Sequence, residues 1–390
     1  MYYLHYLMVN ETQTKQPELV EKYREYTDKY FLRSKQILRA EGINPVVRYQ
    51  MFARQNIPEL FGVDEAVHFI RDVVGNKARI YTLRDGQEYT AKEPIMKIEG
   101  RVQDLIDLET VYLSILSGKF TGSIDLDEVR ERAKAVVNAS NGKPLYYFGA
   151  RHFAPELDKH IAKICQEEGF AGCSTDIGAT AWNSNGLGTI PHALILAYAA
   201  YMQEHELEGN PTVESAKAFD RNIDKRVPRI ILVDTFNREI DDTIATARGV
   251  PSLAGARIDT CGENYAQRAR VAELPDLNVN PKYLQGKGVT IAGNWALRRA
   301  LDEEGFGNLE ITVSSGFNED KTAAFVEADK VYQGLYGKPL FDSIGTGSLA
   351  KPIMATSDIV AYFSERQNKW IPLSKKGRDE TPSRRLEEIK

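Results

Sequence analysis

Apolar, strand-like segments alternate with helical segments from about Leu126 onward, and this alternation limits the possible folds more than any other feature of the chain. The strand-like segments read PLYYFGA, GCSTDIG, RIILVDTF, LAGARID, GVTIAG, LEITVSSG and LFDSIGTGS. Buried parallel strands appear as near-continuous apolar runs, and a helix usually connects each strand to the next. Seven or eight such strands in series predict an α/β barrel, complete or incomplete. A doubly wound open sheet is the alternative that this pattern leaves open.

The length of 390 residues exceeds that of a barrel of roughly 200 to 250 residues and predicts a second domain. The chain before about Phe120 mixes helical stretches with short strands, which is typical of an α+β unit. We therefore predict an N-terminal α+β domain at residues 1–122, a barrel at 123–355, and a tail at 356–390 that packs on the N-terminal domain. The charged tail indicates a short strand or loop followed by a final helix.

Composition excludes several classes of protein. The chain has 42% hydrophobic and 27% charged residues, as soluble globular proteins do, and no apolar stretch approaches the roughly 20 residues of a membrane span. A net charge of −5 argues against a nucleic-acid partner. The three cysteines lack the spacing of a disulfide framework or a zinc site. Because the first residues lack the basic start of a signal peptide, the predicted location is cytoplasmic.

Polar and glycine residues follow the predicted strands, where the active site of an α/β barrel lies. They are Phe148, Arg151, Ser174, Thr175, Thr189, His192, Asp234, Arg257, Asp259, Ser315, Gly316, Gly345 and Gly347. The Ser-Ser-Gly and Gly-Thr-Gly turns after the last two strands predict a phosphate site, because small residues let backbone N–H groups approach phosphate oxygens. A glycine-rich turn that only reverses the chain remains the alternative.

His192 and the strand-end aspartates are the candidates for chemistry. Pro191 predicts that His192 opens a helix, where it is suited to proton or phosphoryl chemistry or simply caps the helix. Asp234 and Asp259 alone would suggest helix caps, but together with Arg257 they indicate a hydroxylated or magnesium-bound ligand. The similar pair Asp241–Asp242 lies in a helical stretch, so we expect it to face solvent.

Nine motifs in order resemble those of the type II nicotinate phosphoribosyltransferases, which are related to the quinolinate and nicotinamide enzymes. The motifs cover most of the chain: TDKYF, LETVYLSILS, YYFGARH, STDIGA, GTIPHALI, LVDTF, RIDTCGE, SSGFNE and IGTGS. The resemblance implies transfer of a phosphoribosyl group from 5-phosphoribosyl pyrophosphate to nicotinate. The products would be nicotinate mononucleotide and pyrophosphate.

The resemblance also implies roles for individual residues. Phe148 would stack on one face of the pyridine ring, and Tyr30 from a partner subunit on the other, so the active site would be shared within a homodimer or higher homo-oligomer. Cations and hydroxyls would bind the substrate carboxylate and phosphates: Arg151, Arg257, Ser174, Thr175 and Thr189. Asp234 and Asp259 would orient the ribose and the pyrophosphate, with Asp259 on Mg²⁺. The 5-phosphate would lie against Ser315, Gly316, Gly345, Thr346 and Gly347. His192 matches the histidine that relatives phosphorylate when they couple the reaction to ATP.

Three other functions stay open at the level of sequence. Quinolinate phosphoribosyltransferase is the nearest, and its two-carboxylate substrate should demand additional cations around the ring. A sugar-phosphate aldolase or lyase would need a Schiff-base lysine at a strand end, and none of the predicted strands ends in lysine. A non-catalytic subunit that holds phosphorylated ligands is the third.

Overall fold

The computed structural model describes residues 18–390, so the beginning of the predicted 1–122 domain lies outside the described residues. One of its two sheets is antiparallel and has six strands in the order β11-β10-β1-β3-β2-β12. These strands are β1 (Val46–Ala53), β2 (Ala78–Thr82), β3 (Met96–Arg101), β10 (Ala355–Ser364), β11 (Lys369–Pro372) and β12 (Glu387–Ile389). The two ends of the chain therefore build this sheet together, because β10 pairs along the whole of β1 from Val47 to Ala53.

The other sheet is parallel and has six strands in the order β5-β4-β9-β8-β7-β6. These strands are β4 (Leu145–Tyr147), β5 (Gly172–Cys173), β6 (Arg229–Leu232), β7 (Leu253–Ile258), β8 (Glu310–Val313) and β9 (Ser343–Thr346). Strands β5 and β6 form its two edges. The sheet is curled, and the architecture is the incomplete form of the predicted α/β barrel beside an α+β unit.

Helices connect the parallel strands and pack against both sheets. They are α1 (Lys29–Ala40), α2 (Val63–Val74), α3 (Val102–Leu105), α4 (Glu109–Thr121), α5 (Leu126–Ala139), α6 (Asp158–Glu168), α7 (Asp176–Ala179), α8 (His192–Glu204), α9 (Pro211–Asn222), α10 (Glu239–Gly249), α11 (Pro281–Leu284), α12 (Ile291–Glu303) and α13 (Glu319–Tyr336). No helix among the described residues has the length and apolar character needed to cross a bilayer.

Two predicted elements are wrong. The segment GVTIAG is not a strand, because the Thr290 hydroxyl accepts the N–H of Gly293 at 3.3 Å and caps helix α12. The final helix predicted for the tail is also wrong. Residues 365–390, all of them described, contain β11 and β12 and no helix. In this segment β12 pairs with β2 and so extends the antiparallel sheet. Backbone pairing with β2 outweighs the preference of the glutamates in β12 for a helix.

A continuous hydrophobic core joins the two sheets. Helix α4 is buried on nearly all sides and contacts α2, β10 and the turn at Ala150–His152. Its burial places the amino-terminal residue Glu109 beneath the carboxyl ends of the barrel strands, next to Arg151. The division at 1–122, 123–355 and 356–390 stays a prediction, while the strand pairing shows that the carboxyl-terminal residues complete the antiparallel sheet.

Candidate active site

The carboxyl ends of the barrel strands surround a cavity of about 380 Å³, which we call the main cavity. Residues that follow β4, β7, β8 and β9 line it: Phe148, Arg257, Asp259, Ser314, Ser315, Gly316, Gly345, Thr346 and Gly347. A second cavity of about 120 Å³, the inner cavity, shares Tyr30, Arg151, Arg257 and Asp259 with it and includes His192. Most of the predicted strand-end residues therefore lie around two adjoining cavities.

Two aromatic rings lie close to the Arg257 guanidinium. The guanidinium carbon is 5.7 Å from the centre of the Tyr30 ring and 5.8 Å from that of Phe148. Arg257 is 6% exposed and forms no salt bridge with any described residue. The chain's own Tyr30 lines this cavity, and the contribution of this tyrosine by a partner subunit stays a prediction. Two rings beside an uncommitted cation suit a flat anionic ligand.

Two loops at the ends of β8 and β9 form a small-residue cradle. Ser315 and Gly316 have φ angles of 80° and 69°, so two consecutive residues have a positive φ, and the chain bends at the edge of the main cavity. At Gly347 a Cβ would lie 2.5 Å from the His152 ring and 2.7 Å from the Gly149 backbone. Thr346 ties the loops together, because its hydroxyl donates to the carbonyl oxygen of Phe317 at 2.5 Å. Because small residues let backbone N–H groups approach phosphate oxygens, the cradle is a candidate anion site.

Lys321 adds a cation beside this cradle that the sequence analysis missed. Its ammonium group donates to the Ser315 carbonyl oxygen at 2.8 Å, and burial lowers the pKa of Lys321 to about 8. Asp259 opposes that shift, and its carboxylate accepts the Ser314 hydroxyl at 3.1 Å. The lysine lies in the first turn of α13, three residues after the helix cap Asn318. A charged residue in the first turn after a glycine-containing loop is the signal that could have identified it.

Arg151 is held between two buried carboxyl groups. Its Nε lies 3.2 Å from Asp28 Oδ2, and its Nη1 donates to Glu109 Oε1 at 3.3 Å. Burial raises the pKa of Glu109 to about 8, with Arg151 opposing and Asp358 reinforcing the shift. Neither acid was among the predicted site residues, because Asp28 and Glu109 belong to the amino-terminal helices. Their contacts fix the direction in which the Arg151 side chain extends.

Asp234 accepts a hydrogen bond from His192 and forms an ion pair with a lysine from the carboxyl-terminal segment. The His192 Nε2 lies 3.1 Å from both Asp234 oxygens, and the Lys375 ammonium lies 2.6 Å from Asp234 Oδ2. Burial lowers the pKa of His192, and the charge of Lys375 lowers it further. Although burial opposes it, Lys375 and His192 hold the pKa of Asp234 well below its usual range. Because a carboxylate only accepts hydrogen bonds, Nε2 carries the proton and Nδ1 presents a lone pair.

Three residues predicted to touch substrate do not line these cavities. Ser174 and Thr175 are each 1% exposed, and the Thr175 hydroxyl caps α7 while it donates to Asp158 at 2.5 Å. Thr189 lies on the far side of Phe148, in a separate cavity with Tyr146. The two cavities therefore do not include these three predicted substrate contacts; Thr175 caps a helix, whereas the buried Ser174 hydroxyl has no hydrogen-bond partner among the described residues. Asp234 reaches the site only through its contacts with Lys375 and His192.

Among the described residues, no cluster of three or more His, Cys, Asp or Glu side chains could hold a metal ion. The Asp259 carboxylate accepts one hydrogen bond, from Ser314, and lies in the wall of the main cavity beside the cradle. A single carboxylate of this kind fits Mg²⁺ only where substrate oxygens supply other ligands, which is how Mg²⁺ is usually held with phosphates. The role of Asp259 as a metal ligand therefore stays a prediction, and it requires that substrate oxygens complete the coordination of the metal ion.

Comparison with known proteins adds three similarities. The family model of the quinolinate phosphoribosyl transferase N-terminal domain matches residues 28–118. Nicotinate phosphoribosyltransferase pncB1 of Mycobacterium tuberculosis is 24% identical over 251 residues, which are 63% of this chain and 53% of the relative. Its pncB2 counterpart is 24% identical over 298 residues, 74% of this chain and 55% of the relative. The chain thus spans about half the length of the curated relatives that it matches.

Solved structures extend the likeness to the fold. The crystal structure of nicotinate phosphoribosyltransferase from Porphyromonas gingivalis superposes with a TM-score of 0.64, covers 90% of this chain and 92% of that chain, and is 13% identical. At this identity the likeness concerns the fold alone. The chain is therefore similar in sequence to nicotinate phosphoribosyltransferases and, over residues 28–118, to the amino-terminal domain of quinolinate phosphoribosyl transferase, and it shares the fold of a solved nicotinate phosphoribosyltransferase.

Proposed function

We propose that the protein transfers the phosphoribosyl group of 5-phosphoribosyl pyrophosphate to the ring nitrogen of nicotinate, releasing pyrophosphate and forming nicotinate mononucleotide. One observation carries the proposal: the main cavity combines an anion cradle, two aromatic rings and an unpaired arginine within about 380 Å³. The names of the sequence relatives agree with this reaction. Pyrophosphate departs as the new bond to nitrogen forms, so the electron balance needs no further reactant.

The cavity suits a reaction that depends on positioning and charge. Departure of pyrophosphate leaves positive charge on the ribose, so catalysis requires groups that stabilise the leaving anion and hold the nucleophile in place. The pyridine nitrogen already has a lone pair and needs no general base. Ser315, Gly316 and Gly347 would bind the 5-phosphate through backbone N–H groups. Mg²⁺, bound by Asp259 and substrate oxygens, would neutralise charge on the pyrophosphate.

Arg257 supports nicotinate over quinolinate as the acceptor. Of the arginines in the main cavity, Arg151 is held by Asp28 and Glu109, whereas Arg54 and Arg378 both face Glu263. Arg257 alone lies beside both rings without an acidic partner among the described residues. One free cation at the ring matches one substrate carboxylate. A second carboxylate would lack an equivalent partner.

His192 supports a proposed coupling to ATP. Its Nδ1 presents a lone pair because Nε2 donates to Asp234, and a neutral imidazole nitrogen is a suitable acceptor of a phosphoryl group. In this step the Nδ1–P bond would form as the bond to ADP breaks, with Asp234 stabilising the positive charge on the ring. Assembly as a dimer or larger oligomer, and the cytoplasmic location, stay predictions from the sequence.

The proposed reaction is tested by assaying the purified protein with phosphoribosyl pyrophosphate, Mg²⁺ and one acceptor at a time. We expect nicotinate to give nicotinate mononucleotide and pyrophosphate in equal amounts, and quinolinate to be inert. Turnover of quinolinate with release of carbon dioxide would overturn the choice of acceptor. Adding ATP tests the coupling separately, since labelled phosphate from the γ position should appear on wild-type protein and not on a His192→Ala variant.

Gly345→Ala tests whether the Phe148 ring forms the acceptor site. An added Cβ would lie 2.3 and 2.4 Å from two carbon atoms of that ring, so the ring must shift. We expect the KM for nicotinate to rise by about tenfold, the scale of a modest overpacking effect. Gly334→Ala is the control, because a Cβ there meets nothing within 4 Å. Equal KM values in the two variants would contradict a role for Phe148 in binding the acceptor.

A further inference from the structure

The loop that carries the Phe148 ring lies directly against the cradle. We call residues 148–152 the ring loop. At its start, the Phe148 N–H donates to the Thr346 carbonyl oxygen at 2.8 Å. At its end, His152 Nδ1 lies 3.0 Å from the Gly347 carbonyl oxygen. The ring loop is therefore tied to the cradle at both of its ends.

The two loops pack together without room for a side chain between them. A Cβ on Gly347 would lie 2.5 Å from the His152 ring and 2.7 Å from the Cα atom of Gly149. A Cβ on Gly345 would lie 2.3 Å from the Phe148 ring. Because close-packed groups transmit strain to their neighbours, a shift of the cradle must also move the ring loop.

One peptide unit serves both loops. Its carbonyl oxygen belongs to Thr346 and accepts the Phe148 N–H, whereas its N–H belongs to Gly347, one of the residues proposed to bind the 5-phosphate. The N–H and C=O groups of a planar trans peptide point in opposite directions, so the two contacts do not compete. Hydrogen bonds in such a chain polarise one another. A phosphate bound to the Gly347 N–H should therefore strengthen the bond that positions the Phe148 ring.

His152 holds the far end of the ring loop as a neutral donor. Burial lowers the pKa of His152 to about 4, and the charge of Arg151 also lowers it, although the bond to the Gly347 carbonyl opposes the shift. The imidazole is therefore uncharged at neutral pH. Because a carbonyl oxygen only accepts hydrogen bonds, Nδ1 carries the proton. His152 lines the main cavity without adding a charge to it, so its contribution is the tie between the two loops.

We propose that His152 is a positioning residue that couples the two substrate sites, so that a 5-phosphate in the cradle tightens the binding of the acceptor ring. This inference rests on the proposed function, because it assumes a phosphorylated donor and a flat acceptor. A first ligand that orders both loops removes part of the ordering cost for the second. By thermodynamic linkage, the acceptor must tighten the binding of the 5-phosphate by the same factor.

Calorimetry with nicotinate and ribose 5-phosphate tests the coupling without turnover, because ribose 5-phosphate lacks the pyrophosphate that leaves in the reaction. In the wild type we expect ribose 5-phosphate to lower the Kd of nicotinate about tenfold, which is within the usual range for coupled sites. His152→Ala should reduce this factor to about twofold or less and leave the Kd of each ligand alone nearly unchanged. His160→Ala is the control and should keep the full factor, since His160 Nδ1 contacts the Glu156 carbonyl oxygen at 3.1 Å in an exposed position outside both cavities.

Amide variants separate the hydrogen bond from simple packing, and they decide the matter if His152→Ala does not fold. The amide nitrogen of His152→Asn takes the place of Nδ1, whereas that of His152→Gln lies one bond further from the backbone. Coupling that survives in His152→Asn and is lost in His152→Gln supports the inference, and equal coupling in the two variants overturns it.

Three other results would also overturn the inference. They are a wild type without coupling, a His152→Ala protein with unchanged coupling, and a His152→Ala protein that binds both ligands more weakly but keeps the same coupling factor. Failure of the proposed function is recognised separately, since wild-type protein would then form no nicotinate mononucleotide from nicotinate and the phosphoribosyl donor.

Discussion

Replacing Arg257 with alanine is expected to lower kcat/KM for nicotinate by about 1,000-fold while the protein remains folded. The guanidinium lies within 6 Å of the ring centres of both Tyr30 and Phe148, is almost fully buried and has no acidic partner among the described residues. Two charge-assisted hydrogen bonds to the substrate carboxylate would together account for about 4 kcal/mol, which corresponds to this factor. Because no buried carboxylate loses its partner, stability should change little.

Steady-state kinetics with nicotinate and with the donor, each varied alone, check this expectation. Arg299→Ala is the matched control, since the Arg299 guanidinium lies 4.6 Å from the centre of the Tyr336 ring, outside both cavities. The loss in Arg257→Ala should appear mainly with nicotinate. If the donor constant rises instead and the nicotinate constant does not, Arg257 binds phosphate and the substrate carboxylate lies elsewhere.

The parallel sheet and most of the cavity wall could be predicted from the sequence because they depend on local signals. Apolar strands separated by helices define the barrel, and the ends of parallel strands lie at the same edge by geometry. Phe148, Arg257, Asp259 and the two glycine turns therefore appear at one site without knowledge of the tertiary structure. The sequence left undecided whether the sheet closes into a complete barrel. In the structure it does not close, and the apolar segment after Gly288 forms a helix instead of a strand.

The rest of the site depends on contacts between distant parts of the chain. Lys375 and Arg378 reach the cavity from a charged tail that the sequence predicts to pack on the N-terminal domain, without a sign that it enters the active site. Glu109 lies in the otherwise buried helix α4, and its role follows only from the position of Arg151. Long-range packing of this kind has no local sequence signal.

Small polar residues mislead for a different reason. A serine, threonine or aspartate at a strand end can bind substrate or can cap the next helix, and the sequence alone does not distinguish the two. Thr175 caps a helix. Asp242, which we expected to face solvent, is 1% exposed and accepts hydrogen bonds from Asn210 and Thr212. In both cases the neighbouring helix determines what the side chain does.

Glu109 has charged and titratable neighbours on several sides. Arg151 approaches from the turn after β4, Asp28 from the residue before α1, and Asp358 from β10. The phenol groups of Tyr49 and Tyr112 lie nearby and have pKa values raised by burial and by this carboxylate. With the pKa of Glu109 raised to about 8, its carboxyl group binds a proton in the folded protein at pH values where the unfolded chain has lost it. The free energy of unfolding should therefore fall as pH rises from about 4.5 to about 8, and level off above that range.

A Glu109→Gln variant is expected to lack this contribution and to be more stable than the wild type at alkaline pH. Glutamine resembles the protonated carboxyl group and keeps an oxygen that can accept from Arg151. From the size of the pKa shift, we expect a gain of about 5 kcal/mol in the free energy of unfolding at pH 9 and almost none at pH 4.5. Denaturant unfolding at both pH values measures the difference, with Glu327→Gln on the outer face of α13 as the control. A variant less stable than the wild type at pH 9 would show that ionised Glu109 is needed to hold Arg151. The conclusion that Glu109 is buried as a neutral acid beside the active site would then have to be abandoned.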